Sequence, residues 1–512
     1  VKECEKEINK YLFDLGVIFL LSPKPVYAIE ENSERNNSYI YTPNHYAVPS
    51  PSAYTLYKAI GSRELGISDE ISPVDVFATE EYLYVVCNKT NAVYVLNRDY
   101  LPVFTIREIK GKLTGPNTLN APEGVFVDET GNIYIADTQN RRILLLDKDG
   151  NLIHEYIDIQ IQVLGEKVDF YPTKLVVDRA KRIYVIGKNI NRGIIELSKE
   201  GKFNTFIGAP KVKANLVDHM KRLFMTEEQI MRMEKFIPTE YNNITMDASG
   251  FLYGTIGSID TDAVMEASYS ASDSTADNAK PVVKLSPAGE DILFRRGNVP
   301  IIGELNFSYG DQSYCVDAAV RADGIYSILD QRHGRIFTYD MYGNLLYVFG
   351  GLGQQYGSFS SPSSLCYFKE HIIVADQISG KINAFEATEY GDYLNRAVKL
   401  DYDGEYEKAA DLWVDLARKN SNLYLAYSGI GKMYYRDKDY ENAMKYFKVA
   451  EDTYYYDKSK EKLRKEAVTK YFPAFTVSVV LIIMIDKGFL ARKGGKRFVK
   501  GIKFKRNHHK RA

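Results

Sequence analysis

The sequence predicts a mainly β fold, a six-bladed β-propeller, followed by a small all-α domain and one transmembrane helix. Three observations predict it. Leu83-Tyr84-Val85-Val86, Ile133-Tyr134-Ile135-Ala136 and Ile183-Tyr184-Val185-Ile186 repeat one phrase every 50 residues. Downstream, Tyr406 and Tyr440, Ala409 and Ala443, and Trp413 and Phe447 are each 34 residues apart. Finally, Tyr471 to Ile485 is apolar apart from a tyrosine and two hydroxyl residues, and a basic tail follows. A fixed period means that one supersecondary unit is stacked repeatedly. A chain of 512 residues also exceeds one ordinary core.

The second unit is the clearest. Ala121 to Asp128, Ile133 to Asp137, Ile143 to Asp147 and Leu152 to Tyr156 are β-rich runs separated by Gly/Asn/Asp turns. Runs of this length with such separators read as strands joined by tight hairpins. Four antiparallel strands per unit, repeated radially, make a propeller. Units begin at Pro73, Pro172, near Tyr241, at Tyr314 and at Pro362, with related phrases at Leu252-Tyr253, Ile325-Tyr326 and Ile372-Ile373-Val374. The sixth unit supplies only three strands. Ala53 to Gly61 resembles Asn344 to Gly350 and is expected to complete it, closing the ring and removing an exposed edge.

The boundaries read from the chain are a signal-peptide-like segment (1–28), a linker (29–52), the propeller (53–389), a helical repeat region (390–456), a connecting helix (457–470), a transmembrane helix (471–491) and a basic cytoplasmic tail (492–512). Within the propeller, 211–237 reads as a helical insertion and 260–280 as a mobile loop. About 20 apolar residues span a bilayer. Net charge is -1, from 66 Lys+Arg and 67 Asp+Glu, yet no acidic residue follows Asp486. The positive-inside rule then places the tail in the cytoplasm and the N-terminal domains outside the cell membrane. Nucleic-acid binding is not expected of a tail tethered there. Cys87, Cys315 and Cys366 lie in apolar strand phrases and read as core residues, not as a disulfide framework.

No catalytic residue is predicted. The seven histidines recur at no common blade position, and neither a nucleophile elbow nor a phosphate-binding glycine loop is present. Aligning the units puts Asp75, Gly124, Lys174, Asn243, Asp317 and Ser364 at the start of the innermost strands. With Glu123, which precedes Gly124, the polar members Asp75, Glu123, Lys174, Asn243, Asp317 and Ser364 form a candidate ligand-binding ring at the channel mouth. Ca2+ is the one cofactor considered, held by Glu123, Asn243 and Asp317, since calcium takes oxygen ligands. Asp128, Asp178 and Asp247 recur at the following turn and read as turn-formers.

The motifs Pro-x-Gly-apolar-x-apolar-Asp, Gly-x-Ile-Tyr-Ile-Ala-Asp and Asn-Arg-Arg-Ile, complete in the second unit, resemble NHL repeats over roughly residues 53–387. In the helical region, Tyr427, Ile430, Gly431, Tyr434, Ala443, Phe447 and Ala450 fit the tetratricopeptide spacing; Tyr427, Tyr434 and Tyr435 are the candidate protein-interaction residues. Together the chain resembles NHL–tetratricopeptide membrane proteins of Gram-positive bacteria. That resemblance implies a membrane-anchored extracellular binding or scaffold protein that recognises a protein partner, beside a transport complex. The alternative is a lactonase-like hydrolase or lyase with a metal in the channel mouth, because propellers host both kinds of function.

Overall fold

The computed structural model describes residues 38–44, 46–163, 166–188, 190–208, 240–257, 280–295, 303–304 and 311–506. The signal-like segment, the helical insertion and nearly all of the 260–280 loop lie outside these residues.

Six antiparallel sheets form the blades: 73–106, 124–156, 172–207, 241–285, 315–350 and 362–387. Each innermost strand lies against the next, and the sixth lies against the first, so the ring is closed. The fold is therefore a six-bladed β-propeller followed by a C-terminal helical region. Tyr54–Ile60 pairs antiparallel with Lys381–Ala387 and is the fourth strand of blade 6, as the sequence implied. Blade 4 has three strands among the described residues.

Alternation explains why the second strand of each blade is buried almost throughout. In blade 1, Leu83, Val85 and Cys87 pack with Ile373, Ala375 and Ile382 of blade 6. Tyr84 and Val86 point the other way and pack with Val125, Ile133 and Ile135 of blade 2. Successive strand residues face opposite sides, and here both sides are covered. Tyr134 and Tyr184 likewise pack toward the following blades.

Blade 5 departs from the sequence alignment. Val320 pairs with Tyr326 as Val127 pairs with Ile133, so Tyr326 stands where the other blades have Leu83, Ile133 or Ile183. A one-residue slip moves a side chain to the opposite face. Tyr326 accordingly turns back toward blade 4, 5.7 Å from the Tyr253 ring and 5.5 Å from Tyr339. Ser327 takes the other face and shares a 2.6 Å hydrogen bond with Tyr367 of blade 6.

Residues 29–52, read as a linker, contain structure. Tyr39–Tyr41 and Ala47–Pro49 form a hairpin that extends the outer edge of blade 5. Glu304 fastens it, accepting hydrogen bonds from the Tyr39 and Tyr41 hydroxyls at 2.8 Å each and an ion pair from Arg335 at 2.6 Å. The sequence signal was weak because the strands are only three residues long and their partners are remote.

The helical region comprises α1 (Glu389–Asp403), α2 (Tyr406–Lys419), α3 (Tyr424–Arg436), α4 (Tyr440–Val449) and α5 (Thr453–Arg506). Thr388 caps α1, accepting from the Gly391 amide at 3.2 Å. Gly404, in the left-handed region at φ 80°, ends it. Docking on the propeller is close. A Cβ at Gly391 would stand 2.0 Å from the Ala53 carbonyl oxygen. Buried Asn395 bridges Tyr54 and Tyr347 of blades 6 and 5, donating to one hydroxyl at 3.1 Å and accepting from the other at 3.0 Å.

Candidate functional site

Innermost strands begin with a recurrent irregularity. The pairing register shifts between Pro73 and Asp75, Pro172 and Leu175, Tyr241 and Asn243, Cys315 and Asp317, and Pro362 and Ser364. A bulge re-aims the residue beside it. The positions aligned from sequence are thus structurally equivalent, and all the polar ones at those positions are buried.

Four of them meet. Lys174 Nζ lies 2.5 Å from Asp75 Oδ1 and donates to the Val74 carbonyl at 3.0 Å, joining blade 3 to blade 1. Ser364 Oγ is 2.6 Å from Asp317 Oδ2 and 3.1 Å from Asp75 Oδ1. Side chains also bridge to the amide one residue further along the next blade. Val125 N–H donates to Asp75 at 2.9 Å, Leu365 N–H to Asp317 at 2.7 Å, and Val76 N–H to Ser364 at 3.2 Å. The central cluster is therefore a circumferential clasp holding blades 5, 6, 1, 2 and 3. Blade 2 contributes no side chain because its residue is Gly124, where a Cβ would stand 2.2 Å from the Thr173 carbonyl oxygen.

Burial pushes Asp317 up to about 7, the nearby Asp75 carboxylate adding to this and the Lys174 ammonium opposing it. A carboxyl withdrawn from water resists ionisation.

The other two candidates stand apart. Asn243 accepts from its own neighbour's amide, Ile244, at 2.7 Å. Glu123 pairs with Lys188 at the blade 2–blade 3 seam. Among the described residues no group of three His, Cys, Asp or Glu side chains is arranged to hold a metal. Asp317 accepts from the Ala318 and Leu365 amides and the Ser364 hydroxyl, and Asn243 from the Ile244 amide.

Further residues, not singled out from the sequence, fix the loops above this cluster. Asp137, Asp330 and Asp376 end the second strands of blades 2, 5 and 6, and each is fully buried. They accept from the amides of Asn120 (2.7 Å), Tyr314 (3.0 Å) and Ser360 (2.7 Å), which precede the inner strands. The signal was present as the final Asp of Ile-Tyr-Ile-Ala-Asp. Arg142, fully buried, ties Asp137 (2.8 Å) to Glu155 (2.7 Å). Asp128, Asp178 and Asp247 do form the turns, accepting from the amides of Thr130, Arg182 and Ser249. Cys87, Cys315 and Cys366 are free thiols; burial pushes Cys87 up to about 12.

Tyr427 and Tyr434 are buried and Tyr435 is half-buried. Tyr434 stacks on Tyr446 at 5.3 Å, and Tyr435 meets Tyr440 edge-on at 5.4 Å. Their rings fill the space between helices.

The other candidate element is α5. Its Thr453–Lys487 part has mean hydropathy 1.9 in its most apolar window, none of it buried, and is long and apolar enough to cross a membrane. Phe472, Phe475, Ile482, Met484 and Ile485 are each more than half exposed. A contiguous apolar surface of this size marks a membrane or partner contact.

The fold and the exposed helix define a propeller protein that has, among the described residues, one apolar helix compatible with a membrane crossing. No protein-family model matches the chain, and the comparison with curated proteins gives no match. Solved structures do resemble it. A streptogramin B lyase matches at 12% identity and TM-score 0.39, covering 66% of this chain and 98% of its own. Virginiamycin B lyase from Staphylococcus aureus matches at 13% and 0.39, covering 65% and 99%. The Cps50 (Swd1) β-propeller domain from Myceliophteria thermophila matches at 11% and 0.37, covering 65% and 100%. At such identities the likeness concerns the fold alone.

Proposed function

We propose that this chain is a single-pass membrane-anchored binding or scaffold protein whose propeller and helical region stand outside the cell and recognise a protein partner. The observation that carries the reading is α5, which runs without a break from the packed helical region into an exposed apolar segment. The 11 Lys and Arg residues after Asp486 support a cytoplasmic tail.

The blades support an NHL-like repeat, since Tyr84, Tyr134 and Tyr184 pack alike toward the following blade and Asp128, Asp178 and Asp247 form equivalent turns. The helices support a tetratricopeptide reading. Trp413 packs against Gly429, where a Cβ would lie 2.4 Å from its ring, and Phe447 against Gly431, at 2.7 Å. Trp413 and Phe447, 34 residues apart, thus both pack on glycines of the one helix α3, which lies between α2 and α4. Both repeat types present extended recognition surfaces. A place beside a transport complex rests on the resemblance to NHL–tetratricopeptide membrane proteins.

Protease treatment of intact cells tests the sidedness: the propeller is expected to be cleaved while the tail survives, and a protected propeller refutes it. Surface crosslinking tests the binding role. If a chain lacking residues 390–456 captures the same partners, the helical region is not the recognition element.

A further inference from the structure

Between the packed start of α5 and its apolar segment lies a stretch that neither the propeller nor the helical repeats explain. Ser459 is buried against the helical region, but from Lys460 to Lys470 every residue except Leu463 is exposed. Residues 457–470 carry six basic and three acidic residues, a net charge of +3. Lys465 pairs with Glu461 at 2.7 Å. Lys460, Lys462 and Arg464 make no ion pair among the described residues.

We infer that this stalk is an anionic-phospholipid binding element on the propeller side of the membrane. The inference rests on the membrane reading of α5. Three observations carry it. The charge adjoins the apolar run directly, Lys470 preceding Tyr471. At about 1.5 Å rise per residue, Lys465 stands about 9 Å and Arg464 about 10 Å from that boundary. That is about one Debye length at physiological ionic strength, so these charges feel the lipid surface. Successive residues turn by about 100°, so the basic positions 458, 460, 462, 464, 465 and 470 are spread around the whole circumference. A protein partner would read one face; a headgroup layer surrounds the helix. Tyr471, Phe472 and Phe475, all exposed, stand where aromatic side chains settle at a membrane interface.

The test reconstitutes the full chain in phosphatidylcholine bilayers and compares its association with spin-labelled phosphatidylglycerol and spin-labelled phosphatidylcholine. The wild type is set against a variant carrying Lys460→Gln, Lys462→Gln, Arg464→Gln and Lys465→Gln, with the basic tail unchanged in both. The preference for phosphatidylglycerol is expected to fall, by at most about fivefold for each residue close to the surface, and to weaken in high salt. A variant that keeps the full wild-type preference overturns the inference. Alkaline extraction separates the two failures: a wild-type chain released from the membrane refutes the membrane reading itself, whereas one that stays embedded with an unchanged preference refutes only the stalk.

Discussion

Ser364 holds its hydroxyl 2.6 Å from the Asp317 carboxylate, fastening blade 6 to blade 5 at the propeller axis. The same oxygen stands 3.1 Å from Asp75 of blade 1, so one hydroxyl proton lies between two carboxylates. Lys174 supplies the compensating charge to Asp75. The predictions start from this cluster.

Asp317 couples propeller stability to pH. Its carboxyl is pushed up to about 7 in the folded chain, against about 3.9 unfolded. The folded state thus binds the proton more tightly. Its contribution is complete below the unfolded value and is lost as pH rises through about 7, with a slope of at most about 1.4 kcal/mol per pH unit. Denaturant midpoints from about pH 5 to about pH 8 should fall with pH in the wild type. Asp317→Asn should flatten that fall; an unchanged slope would show that another group titrates.

Lys174→Met is expected to cost about 3–5 kcal/mol by leaving the buried Asp75 carboxylate without its cation. Asp75→Asn in the same chain should recover part of the loss, because the uncompensated charge disappears. A double-mutant cycle measures the coupling. Additive losses would mean that the 2.5 Å pair contributes nothing of its own.

Gly391→Ala should loosen the helical region from the propeller. The new Cβ meets the Ala53 carbonyl oxygen, which is backbone and cannot rotate away. Overpacking of this kind costs about 1–3 kcal/mol. Limited proteolysis near residues 388–391 should quicken while the blades resist. Equal cleavage rates would contradict the close docking.

Gly429→Ala tests the helical packing through the chain's single tryptophan. The added methyl would lie 2.4 Å from the Trp413 ring, which is 1% exposed. The fluorescence-detected unfolding midpoint should drop, with a red-shifted native spectrum as water reaches the indole. An unaltered spectrum and midpoint would place Trp413 elsewhere.

Much of this architecture is legible in the sequence. The 50-residue tyrosine period and its turn residues located the blades, and Tyr54–Ile60 was recognisable as the closing strand from its likeness to 344–350. The limits are equally particular. Tyr326 repeats the phrase but not the register, since a one-residue slip leaves composition unchanged and reverses the face. The hairpin at Tyr39–Tyr41 and Ala47–Pro49 was illegible because short edge strands carry almost no periodic signal.

Sequence by itself determined the repeat, its count and the equivalence of Asp75, Lys174, Asn243, Asp317 and Ser364, because period and hydrophobic alternation are local properties of the chain. It also determined the apolar span and the basic segments flanking it. Only the tertiary structure decided what the ring of polar residues does together. Which carboxylate meets which donor depends on blades up to 290 residues apart, as Ser363 and Pro73 show by their 2.9 Å hydrogen bond across the closure. Closing the ring turned a row expected to line an open mouth into a buried clasp, because the inward bulges bring side chains from separate blades within hydrogen-bonding distance and leave water outside.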